Sequence, residues 1–104
     1  MASAVESRWE ITEKGGRALS LLVQLRQRSY LWPWTLFLFA EGTDTEVRVH
    51  FHTHVVLIDG AGLTALLADL ANQMVHRIVE PDRTAKFTQA TGPQVAAVSV
   101  IENK

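Results

Sequence analysis

Apolar and polar residues alternate most regularly through residues 46–58. Val47, Val49, Phe51, Thr53, Val55 and Leu57 fall on one side, with Arg48, His50, His52, His54, Val56 and Ile58 on the other. The β-branched bias of this stretch predicts a strand whose first face meets the core. Residues 30–40 are aromatic and apolar, and Glu41-Gly42-Thr43-Asp44-Thr45 reads as a turn, so 30–40 and 46–58 are expected to form a hairpin. Leu63, Leu66, Leu67, Leu70, Met74 and Ile78 then recur at the spacing of one helical face, closed by Pro81. This predicts one long amphipathic helix over about residues 62–80.

Residues 95–102 read as a last strand and 82–93 as a loop. In 18–29, Leu19, Leu21, Val23 and Leu25 alternate with Ser20, Gln24 and Arg26, which favours a strand, with a helix as the alternative. The polar residues 1–17 predict a loose beginning with a short strand around 8–12. The expected fold is α+β, an antiparallel sheet of about four to five strands carrying one long helix, with residues 1–17 as a loose segment and 18–104 as a single domain.

Within 30–40, Tyr30, Trp32, Trp34, Leu36 and Leu38 alternate with Leu31, Phe37 and Phe39, so both faces of that arm are apolar. One helix covers one face of a small sheet, and the other face then needs a partner. A second copy of the chain is the simplest, giving a homodimer or higher homo-oligomer anchored by Tyr30, Trp32, Trp34 and Phe37. The alternative, a helix over 18–29 that covers the second face, leaves a monomer.

Composition narrows the function classes. Ten Lys and Arg against eleven Asp and Glu, a net charge of −1, argue against a protein that coats phosphate or lipid with positive charge. There is no cysteine, hence no disulfide, thiolate zinc site or thiol nucleophile, which fits a reducing compartment. The start MASAVESRWE lacks a secretory pattern, and the longest charge-free stretch, 29–40, is too short to span a membrane, so a cytoplasmic location is expected.

Three constellations carry candidate chemistry. His50, His52 and His54 on one strand face would stand about 6.7 Å apart in order, so neighbours could share zinc or iron with a ligand from elsewhere, Asp59, Glu41, Glu46 or His76 being candidates. As a polar cluster beside Arg48, the three imidazoles would instead repel one another in acid and weaken whatever packs on them. The His-x-His spacing is similar to that of cupin strands, but the downstream glutamate is missing, as is the His-x-His-x-Asp-His run of metallo-β-lactamases, so neither family is assigned.

Arg26 and Arg28 lead into Tyr30, Trp32 and Trp34, the residue types of a single-stranded nucleic-acid platform, in which cations meet phosphate and rings meet bases. Asp59-Gly60-Ala61-Gly62 lies between a strand and a helix and reads as a tight turn, since it lacks the rest of a phosphate-binding fingerprint. No nucleophile elbow or acid–base pair stands out. The sequence reading is therefore a non-catalytic binding or scaffolding domain that self-associates through an aromatic sheet face, with a metal site and nucleic-acid binding as the alternatives.

Overall fold

The computed structural model describes residues 9–12, 16–81 and 93–102. Its elements are β1 (Glu10–Ile11), β2 (Ser20–Gln24), β3 (Ser29–Pro33), a 3₁₀ turn (Trp34–Leu36), β4 (Phe37–Gly42), β5 (Glu46–Phe51), β6 (His54–Ala61), α1 (Thr64–Ala71), β7 (Val75–Val79) and β8 (Gln94–Glu102). They form two four-stranded sheets, one ordered β1-β7-β2-β3 and the other β4-β5-β6-β8. The α+β class expected from the pattern is present, with strands dominating. The expected loop over 82–93 lies, apart from Pro93, outside the described residues, as does much of the loose 1–17 segment.

The sheets and α1 share one core. Leu21, Val23, Trp32, Val75 and Ile78 come from the first sheet, Val47, Val49, Phe51, Val56 and Ile58 from the second, and Leu63, Leu66 and Leu70 from the start and inner face of α1. No helix among the described residues is long and apolar enough to cross a membrane.

Three expectations need correction. The arm over 30–40 is two strands in different sheets, because Pro33 ends β3 and the 3₁₀ turn carries the chain across to β4. The arm over 46–58 is also two strands, since the chain reverses at His52-Thr53 and β6 returns along β5 in register His50↔Val55, Arg48↔Leu57. That reversal shifts the phase by one residue: Val47, Val49 and Phe51 face the core as expected, but Val56 and Ile58 then continue the core face in place of Leu57.

The helix expected over 62–80 stops at Ala71. Gln73 takes a left-handed φ of 55° just beyond Asn72, closing α1, and Val75–Val79 becomes a strand parallel to β2, so the first sheet is mixed rather than antiparallel. Val75 and Ile78 are both fully buried three residues apart, which is helical spacing inside a strand. It arises where β7 sits between two neighbours, β1 and β2, with a register irregularity on the β1 side.

Candidate functional site at the open edge of β4

β4 is positioned by the corner that precedes it. The buried indole of Trp34 donates its Nε1–H to the Val75 carbonyl at 3.0 Å, and the Trp34 backbone N–H donates to Leu19 O at 3.0 Å, tying the turn to the first sheet. The Leu36 carbonyl accepts from the His52 N–H at 3.0 Å and ties it to the second. At the far end of β4, Asp44 holds the start of α1. Its Oδ1 accepts from the Thr64 hydroxyl at 3.0 Å and N–H at 3.4 Å, its Oδ2 from the Gly62 N–H at 3.2 Å, and its carbonyl from the Leu63 N–H at 2.9 Å.

These bonds hold the Asp44 carboxyl below its ordinary value, the Thr64 hydroxyl contributing most and the Thr64 N–H next. Since α1 has no acidic residue in its first turn, Asp44 supplies the negative charge that its N-terminus favours. A group with a lowered folded-state pKa stabilises fully above its unfolded value, 3.8, and that contribution disappears as pH falls through the folded value. Asp44→Ala is therefore expected to lower the thermal midpoint at pH 7, with the gap from wild type narrowing at pH 2.5; an equal gap at both values would show that the charge of the cap contributes nothing.

β4 pairs with β5 on one side, and no described strand pairs with its other side. Thr43 donates its N–H to Glu46 O at 2.7 Å, so the antiparallel alternation makes Glu41–Arg48 and Phe39–His50 the bonded pairs. The N–H and C=O of Ala40 and Gly42 consequently turn to the open edge. Gly42 is exposed, and a glycine has only backbone to expose.

Two large apolar side chains stand on this edge, Leu38 at 47% exposure and Phe39 at 49%. Phe39 stacks on the His50 ring at 4.1 Å between centroids and 12°, and His50 Nε2 lies 3.0 Å from Glu41 Oε2. A groove of about 390 Å³ opens toward α1, lined by Trp34, Phe37, Leu38, Phe39, Ala40, Leu67, Leu70, Ala71 and the polar Gln73. An exposed strand edge, an apolar groove beside it and two half-exposed apolar side chains together suit an extended, apolar ligand.

The residues singled out from sequence are distributed differently. Trp32 and Trp34, expected to anchor an open aromatic face, are 5% and 6% exposed inside the chain's own core, because β3 and the corner turn their indoles between the two sheets. Tyr30 stacks on Trp32 at 5.2 Å and 9°, and Trp32 on Phe51 at 4.8 Å and 15°, forming an internal ladder of rings. Trp34 and Phe37 reach the groove as part of its lining.

The three histidines do not share one face. His50 is engaged by Phe39 and Glu41, His52 is exposed in the reversal between β5 and β6, and His54 leans on Tyr30 and Trp32 at 5.4 and 5.5 Å while its Nδ1 lies 2.7 Å from the Thr53 hydroxyl. Among the described residues, no three His, Cys, Asp or Glu side chains are grouped to hold a metal ion. Arg26 and Arg28 are exposed at the β2–β3 turn. Arg28 lies over the Tyr30 ring at 5.9 Å and donates Nη1–H to its hydroxyl at 3.4 Å, which raises the pKa of the guanidinium, but the next ring, Trp32, is interior.

In the glycine-rich segment, Asp59, Gly60 and Ala61 continue β6 and the turn comes only at Gly62, with φ of 68°. The helix cap is the distant Asp44, which no local capping spacing announces. Leu38 and Phe39 were legible only as part of the apolar run, since a bulge between Phe37 and Phe39 sets where the edge side chains point. Compared with known proteins, the chain matches no family model, no curated protein and no solved structure.

Proposed function

We propose that this chain is a small, non-catalytic binding or scaffolding domain whose working surface is the open edge of β4 together with the groove against α1. The observation that carries this reading is that a side of β4 with no described strand beside it adjoins half-exposed Leu38 and Phe39 and a largely apolar groove of about 390 Å³. An extended segment laid along β4 gains main-chain hydrogen bonds from the edge and places alternate side chains in the groove. Both cues belong to recognition by strand addition. The groove lining is apolar except for Gln73, which suits binding of apolar side chains.

A fluorescein-labelled peptide of alternating leucine and threonine is expected to bind the full chain, read by anisotropy. Leu67→Glu, which places a carboxylate in the groove wall, is expected to weaken that binding by roughly tenfold or more. Binding that is unchanged by Leu67→Glu, in a variant whose far-ultraviolet circular dichroism matches wild type, would locate recognition elsewhere.

A further inference from the structure

We infer that Asp59-Gly60 is a latent modification site that the folded chain keeps silent. Its conversion to isoaspartate is confined to chains in which β6 has lost its neighbours, and converted chains do not return to the native fold. The pair stands out in the sequence, and the proposed binding surface makes no use of it.

Glycine follows Asp59 because the fold demands it. A Cβ at residue 60 would stand 2.1 Å from the Gln94 carbonyl oxygen of β8, where the β6–β8 register shifts. Aspartate followed by glycine is also the pair in which the main chain most readily attacks its own side chain, since no Cβ shields the glycine nitrogen. In that reaction the Gly60 nitrogen bonds to Cγ of the Asp59 carboxylic acid, whose hydroxyl leaves with the N–H hydrogen as water, closing a five-membered succinimide. Water then opens the ring. Addition at Cγ restores aspartate, whereas addition at the Asp59 main-chain carbonyl carbon releases that carbon as a free carboxylate and leaves the chain running through Cβ and Cγ. Water is the only co-reactant.

Native β6 denies both requirements of ring closure, a free Gly60 nitrogen and its rotation onto the Asp59 side chain. The Gly60 N–H donates to Thr45 O at 3.0 Å. Asp59 pairs with Glu46 of β5 on one side and with Ala97 of β8 on the other. The ring needs the Gly60 nitrogen nearly eclipsed with Cβ about the Cα–C bond, and an extended strand, with ψ of about +135°, holds it far from there. Asp59 itself is exposed, so its protection comes from the pairing of its backbone and not from burial.

Conversion is also hard to reverse structurally. Isoaspartate lengthens the main chain by one atom between residues 59 and 60, in a strand flanked by β5 and β8. Beside Gly60 the backbone of β8 leaves no space for even a methyl group, so the extra atom has nowhere to go. The site thereby marks those molecules that have stayed unfolded.

Incubating the full chain at neutral pH in water enriched in oxygen-18, at guanidinium concentrations spanning its unfolding transition, tests the inference. Each ring opening inserts one heavy oxygen, and chromatography of the proteolytic peptide that contains Asp59-Gly60 separates isoaspartate from aspartate. The rate above the transition is expected to exceed that in native buffer by about tenfold or more, rising with the unfolded fraction that tryptophan fluorescence reports. Asp59→Glu, whose ring would have six members and close far more slowly, is expected to stay unlabelled at this position throughout. After guanidinium is removed, isoaspartate is expected to concentrate in the chains that size-exclusion chromatography resolves as non-native. Equal rates in native buffer and guanidinium, a rate with no change through the transition, or isoaspartate shared evenly between native and non-native fractions would each overturn the inference.

Discussion

Phe51→Ala is expected to reduce the stability of this protein by about 3–5 kcal/mol, with roughly 1 kcal/mol more from lost ring contacts. The phenyl ring of Phe51 is fully buried and lies 4.8 Å from Trp32, 5.7 Å from Trp34 and 6.0 Å from Phe37. It is therefore where β3, the corner turn and the second sheet meet. Truncation leaves a void bounded by stiff rings, which collapse poorly because each is held by other contacts, including the Trp34 bond to Val75 O. For a domain whose total stability is about 5–15 kcal/mol, such a loss should bring unfolding into mild denaturant. Urea titration followed by tryptophan fluorescence measures it, since Trp32 and Trp34 report the same region; a loss below about 1 kcal/mol would mean that the rings are not packed together.

The second large effect is expected at Gly60. A Cβ there would lie 2.1 Å from the Gln94 carbonyl oxygen and 3.1 Å from Val95 Cα, all backbone atoms of β8. No side-chain rotation relieves that clash. β6 and β8 must separate just where their register already shifts, between Asp59 and Gly60. Gly60→Ala is expected to cost about 3 kcal/mol or more, in the range of the most damaging single substitutions. The comparison is Ala61→Ser, one residue further along the same strand at an exposed position, which should stay within about 0.5 kcal/mol of wild type. Similar melting points for Gly60→Ala and wild type would show that β8 does not approach β6 this closely.

Sequence patterning located most of the strands because their burial follows local alternation. Leu21 and Val23 in β2, and Val47, Val49 and Phe51 in β5, are buried at every second position, and each was legible as a strand face. What failed was the joining of segments. Nothing local distinguishes a long arm over 30–40 from two strands meeting at a corner, since the apolar content is continuous across Pro33 and Trp34. The His52-Thr53 reversal lacks the glycine or asparagine that usually marks a tight hairpin.

The helix was over-extended for a different reason. Leu70, Met74 and Ile78 keep helical spacing through a segment that tertiary pairing makes into β7. For the candidate site, the aromatic content was legible but its direction was not. Whether an indole faces a partner or its own core depends on where the second sheet lies, and Trp32 and Trp34 face inward while Leu38 and Phe39 remain outside. The Asp44 cap joins residues about twenty apart in the chain, beyond the reach of any local motif.

The parallel bonding of β2 to β7 also governs the order in which a nascent polypeptide can organise itself. Leu22, Val23 and Gln24 find their β3 neighbours within ten residues but their β7 neighbours only at Arg77, Ile78 and Val79, so that side of β2 stays without its partner strand until those residues have been synthesised. Loop closure over that separation must precede its reward, which places folding on the millisecond-to-second side of the scale rather than among microsecond helical bundles. An emerging chain therefore carries the inner side of β2 as an open strand edge until β7 arrives to close it.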